Sequence, residues 1–146
     1  MTLVLVALAL THAVVHFAAV AQGTVLNTVA QGAMSNIEEP RQVVVRTAAE
    51  WQVLWKQHGG AAVPAVDFTQ SMVVAVFLGT RPTAGFSVAI TAIKTEGTRT
   101  VVEYLEREPA RDAFVAQVLT SPFHAVRFAR TAGPVEFRRL EGRATP

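Results

Sequence analysis

Seven consecutive apolar residues, Met72, Val73, Val74, Ala75, Val76, Phe77 and Leu78, limit the possible folds more sharply than anything else in the chain. Successive side chains of a strand point to opposite faces, so a strand with one wet face alternates polar and apolar residues. An unbroken apolar run is what a strand covered on both faces needs. The chain must therefore place other elements on either side of this run.

Strand signals of ordinary type surround it. Residues 41–46 contain Val43, Val44 and Val45, a β-branched run. Residues 86–94 and 99–108 are two strand-like runs joined at residues 95–98, where Gly97 supports a hairpin. In residues 123–129, Phe123 and Ala125 fall on one face and His124, Val126 and Phe128 on the other. Gly133 and Pro134 turn the chain into residues 135–140, where Val135 and Phe137 alternate with Glu136 and Arg138. One helix is indicated. Thr47 and Glu50 form a capping box, Trp51, Leu54, Trp55 and His58 follow at helical spacing, and Gly59-Gly60 stops the helix. In residues 109–121, Phe114, Val115, Val118 and Leu119 have helical spacing, but flanking prolines leave an ordered loop equally open. The spacing predicts an α+β domain, mostly antiparallel β-sheet of about six strands, with one short amphipathic helix packed on it through both tryptophans.

Charge divides the chain. No Asp, Glu, Lys or Arg occurs from Met1 to Ile37, and every charged residue lies between Glu38 and Arg143. Residues 1–21 are apolar except for Thr2, Thr11, His12 and His16. Such a leader can be a secretory signal, a retained membrane anchor or a buried core helix. The small-x-small pattern of Ala19, Val20 and Ala21 suits signal cleavage before Gln22, although no Lys or Arg precedes the apolar run. The expected organisation is a signal peptide or anchor at 1–21, a flexible linker at 22–36, one domain at 37–140 and a tail at 141–146. The domain is expected to be exported, periplasmic or extracellular, with membrane contact only if the leader is retained.

Composition removes whole classes of function. With no cysteine there is no disulfide framework, thiolate metal site, cysteine nucleophile or lipidated cysteine. A net charge of +2 argues against nucleic acid as a partner, because non-specific binding needs a clustered excess of Lys and Arg. Ser35, Ser71, Ser87 and Ser121, with His58, His124, Asp67 and Asp112, are the components available for a serine hydrolase, but no G-x-S-x-G elbow is present. Neither His58 nor His124 lies in an H-x-x-x-H or H-E-x-x-H arrangement, so neither a metal nor a cofactor is expected. The C-terminal arginines are interrupted by Glu136 and Glu141 and read as a solvated sheet face.

The most informative segment is Arg81, Pro82, Thr83, Ala84, Gly85 and Phe86. Proline presets φ at the start of a turn, and glycine supplies the positive φ that closes it. Its plain reading is a structural turn feeding a strand. Its sharper reading is a rigid, partner-facing ridge. Pro122, Phe123 and His124 form a second turn-to-strand junction with an aromatic at a bend, and strand starts of an antiparallel sheet can share one edge. The candidate binding residues are accordingly Arg81, Pro82, Thr83, Gly85, Phe86, Pro122, Phe123 and His124. Phe86 is also a candidate first core residue of its strand.

Five motifs occur in order: W-x-x-L-W at Trp51 to Trp55, Asp67-Phe68, the apolar strand ending at Gly79, R-P-T-A-G-F-S-V, and S-P-F-H-A-V at residues 121–126. Together they resemble the PrcB-like family, named after an accessory subunit of a surface protease complex, over about residues 35–140. The resemblance implies a small exported module without catalysis that binds a protein, either a protease or another envelope protein. Many members carry lipoprotein signals, which a chain without cysteine cannot use. The R-P-T-A-G-F turn is also similar to the N-P-T-T-G-F/Y loop of chagasin-type protease inhibitors, with Arg81 for Asn and Ala84 for Thr, but the central G-x-G-G loop is missing. A glycan- or small-ligand-binding module is a further alternative, for which Trp51, Trp55 and Tyr104 are the large aromatic candidates. Oligomeric state is open.

Overall fold

Residues 26–141 are described by a computed structural model. The leader, the first residues of the linker and all but the start of the tail lie outside them. The elements are β1 (Asn27–Gly32), β2 (Arg41–Val45), α1 (Ala48–His58), β3 (Ser71–Phe77), β4 (Ser87–Glu96), β5 (Arg99–Arg107), β6 (Phe123–Ala129) and β7 (Val135–Leu140). They form a four-stranded sheet of order β1-β6-β3-β2 and a three-stranded sheet of order β4-β5-β7.

The two-sided burial demanded by the apolar run is met by three layers. From β3, Met72, Val74 and Val76 face the second sheet, where Val88, Ile90, Ile93, Val102 and Tyr104 meet them. Val73, Ala75 and Phe77 point the other way, into a second cluster with Trp51, Leu54 and Trp55 of α1. The same period sorts β6: Phe123 and Ala125 lie on the helix side, and Val126 and Phe128 lie between the sheets. The four-stranded sheet is thus the middle layer.

Helix α1 follows its local signals closely. Thr47 Oγ1 accepts the Glu50 N–H, the Glu50 carboxylate accepts the Thr47 N–H, and Gly59 ends the helix at φ 86°. A left-handed cap of this kind favours glycine because a Cβ clashes there. The buried residues of α1 are Trp51, Leu54, Trp55 and His58. Trp51 Nε1 donates to the Pro64 carbonyl at 2.9 Å, so the ring is both buried and oriented.

The α+β class and the mostly antiparallel pairing agree with expectation, and the strand count, expected to be about six, is seven. One expectation needs correction: Asn27–Gly32, read as flexible linker, pairs antiparallel with β6. The segment has little strand propensity; the free edge of β6 supplies the ladder partners that make it a strand. The strands divide into two sheets. Within the mostly antiparallel pairing, β5 and β7 pair parallel. The reason is topological: β6 belongs to the other sheet, so the chain leaves and returns between β5 and β7 and arrives in the same direction.

Candidate functional site

Beyond β3 the chain turns through the R-P-T-A-G-F segment, and this turn is clasped by the loop that precedes β6. Leu78 N donates to the Pro122 carbonyl at 2.9 Å. Arg81 and Thr120 form an isolated antiparallel bridge, with N···O distances of 2.7 and 3.0 Å. Thr120 Oγ1 donates to the Thr83 carbonyl, and Ala84 N donates to the Ala116 carbonyl. Gly85 closes the turn at φ 92°, where a Cβ would lie 2.9 Å from Pro109 Cβ. Two segments far apart in sequence therefore lie side by side, not as strand starts of one sheet, since β4 and β6 belong to different sheets, but because the end of β3 pairs with the start of β6.

Their side chains divide sharply in exposure. Pro82 and Gly85 are exposed, and Arg81, Thr83 and Phe86 are half-buried. The Arg81 guanidinium donates to Glu106 Oε1 at 2.7 Å and lies 5.9 Å from the Phe86 ring centroid. Arg139 approaches the other oxygen of Glu106 at 3.2 Å, so one carboxylate ties the turn to β5 and β7. Arg81 is an anchoring cation as much as a contact residue.

Pro122, Phe123 and His124 are buried, which corrects their assignment to a surface ridge. The physical reason is that β6 is an interior strand, paired with β1 on one side and β3 on the other. Phe123 stacks on Phe77 at 5.8 Å and packs against His58 at 4.2 Å. His124 joins the layers. Its Nδ1 accepts the Ile90 N–H of β4 at 2.8 Å, which places the ring proton on Nε2, 2.9 Å from Thr28 Oγ1 of β1. Burial pushes the pKa of His124 below its ordinary value.

The exposed part of the clasping loop belongs to residues that sequence reasoning had not placed in a site. Phe114 is fully exposed, and Val118 and Leu119 are also exposed. Met34 is exposed as well, next to Ala33, whose carbonyl accepts the Ser121 N–H. The loop is coil rather than helix, so the helical spacing of its apolar residues has no helix to serve. Large apolar residues between two prolines, lacking the partner pattern of a core strand, were the available signal.

Other constellations behave structurally. Ser35 Oγ lies 2.9 Å from His58 Nδ1 and accepts the Ile37 N–H, but Asp67 spends its carboxylate on Thr69 within its own turn. His58 is wedged between Trp55 and Phe123, and burial lowers its pKa. Among the described residues, no group of three or more acidic or histidine side chains converges as a metal site would require. A shallow cleft of about 430 Å³ is lined by Ile37, Glu38, Glu39, Arg41 and Gln57. It adjoins the turn and the clasping loop, since the Glu38 carbonyl accepts the Thr80 N–H and the Ile37 carbonyl accepts the Ser121 hydroxyl. Trp51, Trp55 and Tyr104 are all buried, so these three form no aromatic platform for a glycan.

Residues 72–129 match the family described as PrcB C-terminal. That stretch begins in β3 and ends with β6, and so contains the turn, the clasping loop and the Arg81–Thr120 bridge. No curated protein and no solved structure matches the chain. The likeness of the turn to chagasin-type loops gains no support from these comparisons.

Proposed function

We propose, for a chain that carries the PrcB C-terminal pattern across its central strands, an exported, non-catalytic protein-binding module that acts as accessory to an extracytoplasmic protease. The family match over residues 72–129 carries this reading, together with the resemblance to the PrcB-like family, which implies an accessory subunit of a protease complex. Three features support it. The leader has an apolar run and a small-x-small end, two of the three features of an export signal, the third being a basic start that it lacks. The turn of residues 81–86 is held rigidly by the neighbouring loop, and rigid loops lose less entropy when they bind. His58 is packed between Trp55 and Phe123 and bonded to the Ser35 hydroxyl, and His124 accepts the Ile90 N–H.

Export and association are tested together by purifying the chain from the extracytoplasmic fraction of cells that make it. The reading expects a mature N-terminus at Gln22 or an uncleaved anchored form, with a protease subunit that co-purifies. Recovery as a free cytoplasmic protein with Met1 intact would contradict it.

A further inference from the structure

We infer that the cleft at the start of β2 binds a ligand that carries a carboxylate beside a cation, the carboxylate held by Arg41 and the cation by Glu38 and Glu39. Two sources share this chemistry, a free α-amino acid and an adjacent acidic–basic residue pair in a polypeptide. The site goes beyond the reading above and does not depend on the protein partner proposed there.

Arg41 opens β2 and lines the cleft with Asn36, Ile37, Glu38, Glu39 and Gln57. Its guanidinium is held from two sides. Nη2 donates to Gln57 Oε1 at 2.8 Å, and the group lies 5.8 Å from the centre of the Phe77 ring. Its Nε is buried and has no hydrogen-bond partner. Native proteins leave few buried donors unpaired, and a donor on a charged group is the most costly to leave so. Other arginines find acceptors. Arg81, Arg99, Arg138 and Arg139 form ion pairs, and Arg46 and Arg130 donate to backbone carbonyls. Among the described residues, Arg41 meets neither a carboxylate nor a backbone carbonyl.

Both signs of charge are unpaired in the cleft. Glu38 and Glu39 are exposed and, among the described residues, form no ion pair, although Arg41 follows them closely in the chain. A lone anion would meet one positive and two negative charges there, and a lone cation would meet the guanidinium. A ligand of both signs meets an opposite charge at each end. A carboxylate accepts two parallel bonds from a guanidinium, so a slight turn of the Arg41 fork brings Nε–H to its second oxygen. The walls are fixed before binding. Asn36 N donates to the His58 carbonyl, Thr80 N to the Glu38 carbonyl, and Ser121 Oγ to the Ile37 carbonyl. Gly79, at φ 73°, lies so close beneath this wall that a Cβ there would be 2.5 Å from the Glu38 carbonyl oxygen. Fixed walls reduce the entropy lost on binding, and about 430 Å³ is the size of a small-ligand site.

The test follows the NMR signal of the Arg41 Nε–H in the isotope-labelled chain. The probes are glycine and the blocked dipeptide acetyl-Asp-Lys-amide, with acetyl-Asn-Lys-amide and acetyl-Asp-Gln-amide as controls. The proposal expects at least one probe to shift the signal saturably, with Kd below about 10 mM. A saturable shift by the peptide assigns the polypeptide source, and one by glycine alone assigns the free amino acid. In either case the Glu38→Gln/Glu39→Gln double variant, altered only at exposed positions, should weaken binding about fivefold or more with an unchanged melting temperature. Arg41→Lys, which keeps the charge and removes the fork, should weaken binding as well. If it also lowers the melting temperature, the double variant alone decides. No saturable shift by either probe up to about 10 mM, control peptides that bind as well as the Asp-Lys peptide, or an unchanged Kd in the double variant would each overturn the proposal.

Discussion

The main chains of Arg81 and Thr120 exchange hydrogen bonds in both directions, and this one bridge joins the turn after β3 to the loop before β6. It lies beyond the last rung of the β3–β6 ladder, Phe77 opposite Phe123. The pairing of the two central strands therefore continues into the loops and fixes their relative position. The surface assigned to partner contact is an extension of the most buried part of the fold. Stability and binding are coupled there, and the following predictions separate them.

Gly85→Ala should destabilise the protein by about 1–2 kcal/mol, the cost of a Cβ in a left-handed backbone conformation. The added atom also presses on Pro109, so the loop should lose its fixed position. Urea denaturation reads the first effect, and hydrogen exchange at Ala84 and Thr120 reads the second. Exchange as slow as in the wild type would mean the turn and loop are not clasped through Gly85.

Arg81→Ala leaves the nearly buried Glu106 carboxylate with Arg139 alone. Losing a hydrogen bond to a charged group should cost about 1.5–3 kcal/mol. Glu106→Gln keeps the shape and removes the charge, so Arg81→Ala made in that background should cost less than it does alone. Fully additive losses in this double-mutant cycle would show that Arg81 does not act through Glu106.

Trp55→Ala should cost about 3–5 kcal/mol, because the ring fills the space between α1 and the four-stranded sheet. Val53→Ser, on the exposed face of the same helix, should stay within about 0.5 kcal/mol. Native tryptophan emission should be blue-shifted relative to free indole, and emission at the position of free indole would place both rings in water.

His124 and His58 predict an acid-sensitive fold. Burial lowers both pKa values, so near pH 6 the unfolded chain binds more protons than the native one. Stability is then fully present above the unfolded value of about 6.5 and falls as pH drops below it, down to the folded pKa. Protonating Nδ1 of His124 would also break its bond to the Ile90 N–H, which joins the two sheets. Denaturation midpoints measured from about pH 8 to about pH 5 should decline, and His124→Gln should flatten the decline. A midpoint that stays level, or rises on acidification, would contradict this.

What could be read from the chain and what could not follow from where the determining contacts lie. The bounds of α1 were legible because Thr47, Glu50 and Gly59 act within one or two turns of their own backbone. The three-layer arrangement was implicit in β3, whose unbroken apolar run admits no wet face. β1 was not legible, since its strand state comes from β6 almost a hundred residues away. The split into two sheets and the parallel β5–β7 pair were hidden for the same reason. At the site, the turn and the Pro122 segment are neighbours, but not as strand starts on one edge: β4 and β6 belong to different sheets, and the end of β3 pairs with the start of β6. The burial of Phe123 and His124 could not be read, because it depends on β1 closing over β6. The exposure of Phe114 was not legible, because the helical spacing it shares with Val115, Val118 and Leu119 occurs in a segment that folds as coil.

The central claim is that the module assists a protease without occupying its cleft. The most direct test is to add the purified mature chain to a purified protease that co-purifies with it, then follow initial peptidase rate and active half-life together. The account predicts an initial rate unchanged at saturating chain and a longer half-life. A stoichiometric loss of initial rate, relieved by substituting Pro82 or Phe86, would contradict it and make the chain an inhibitor.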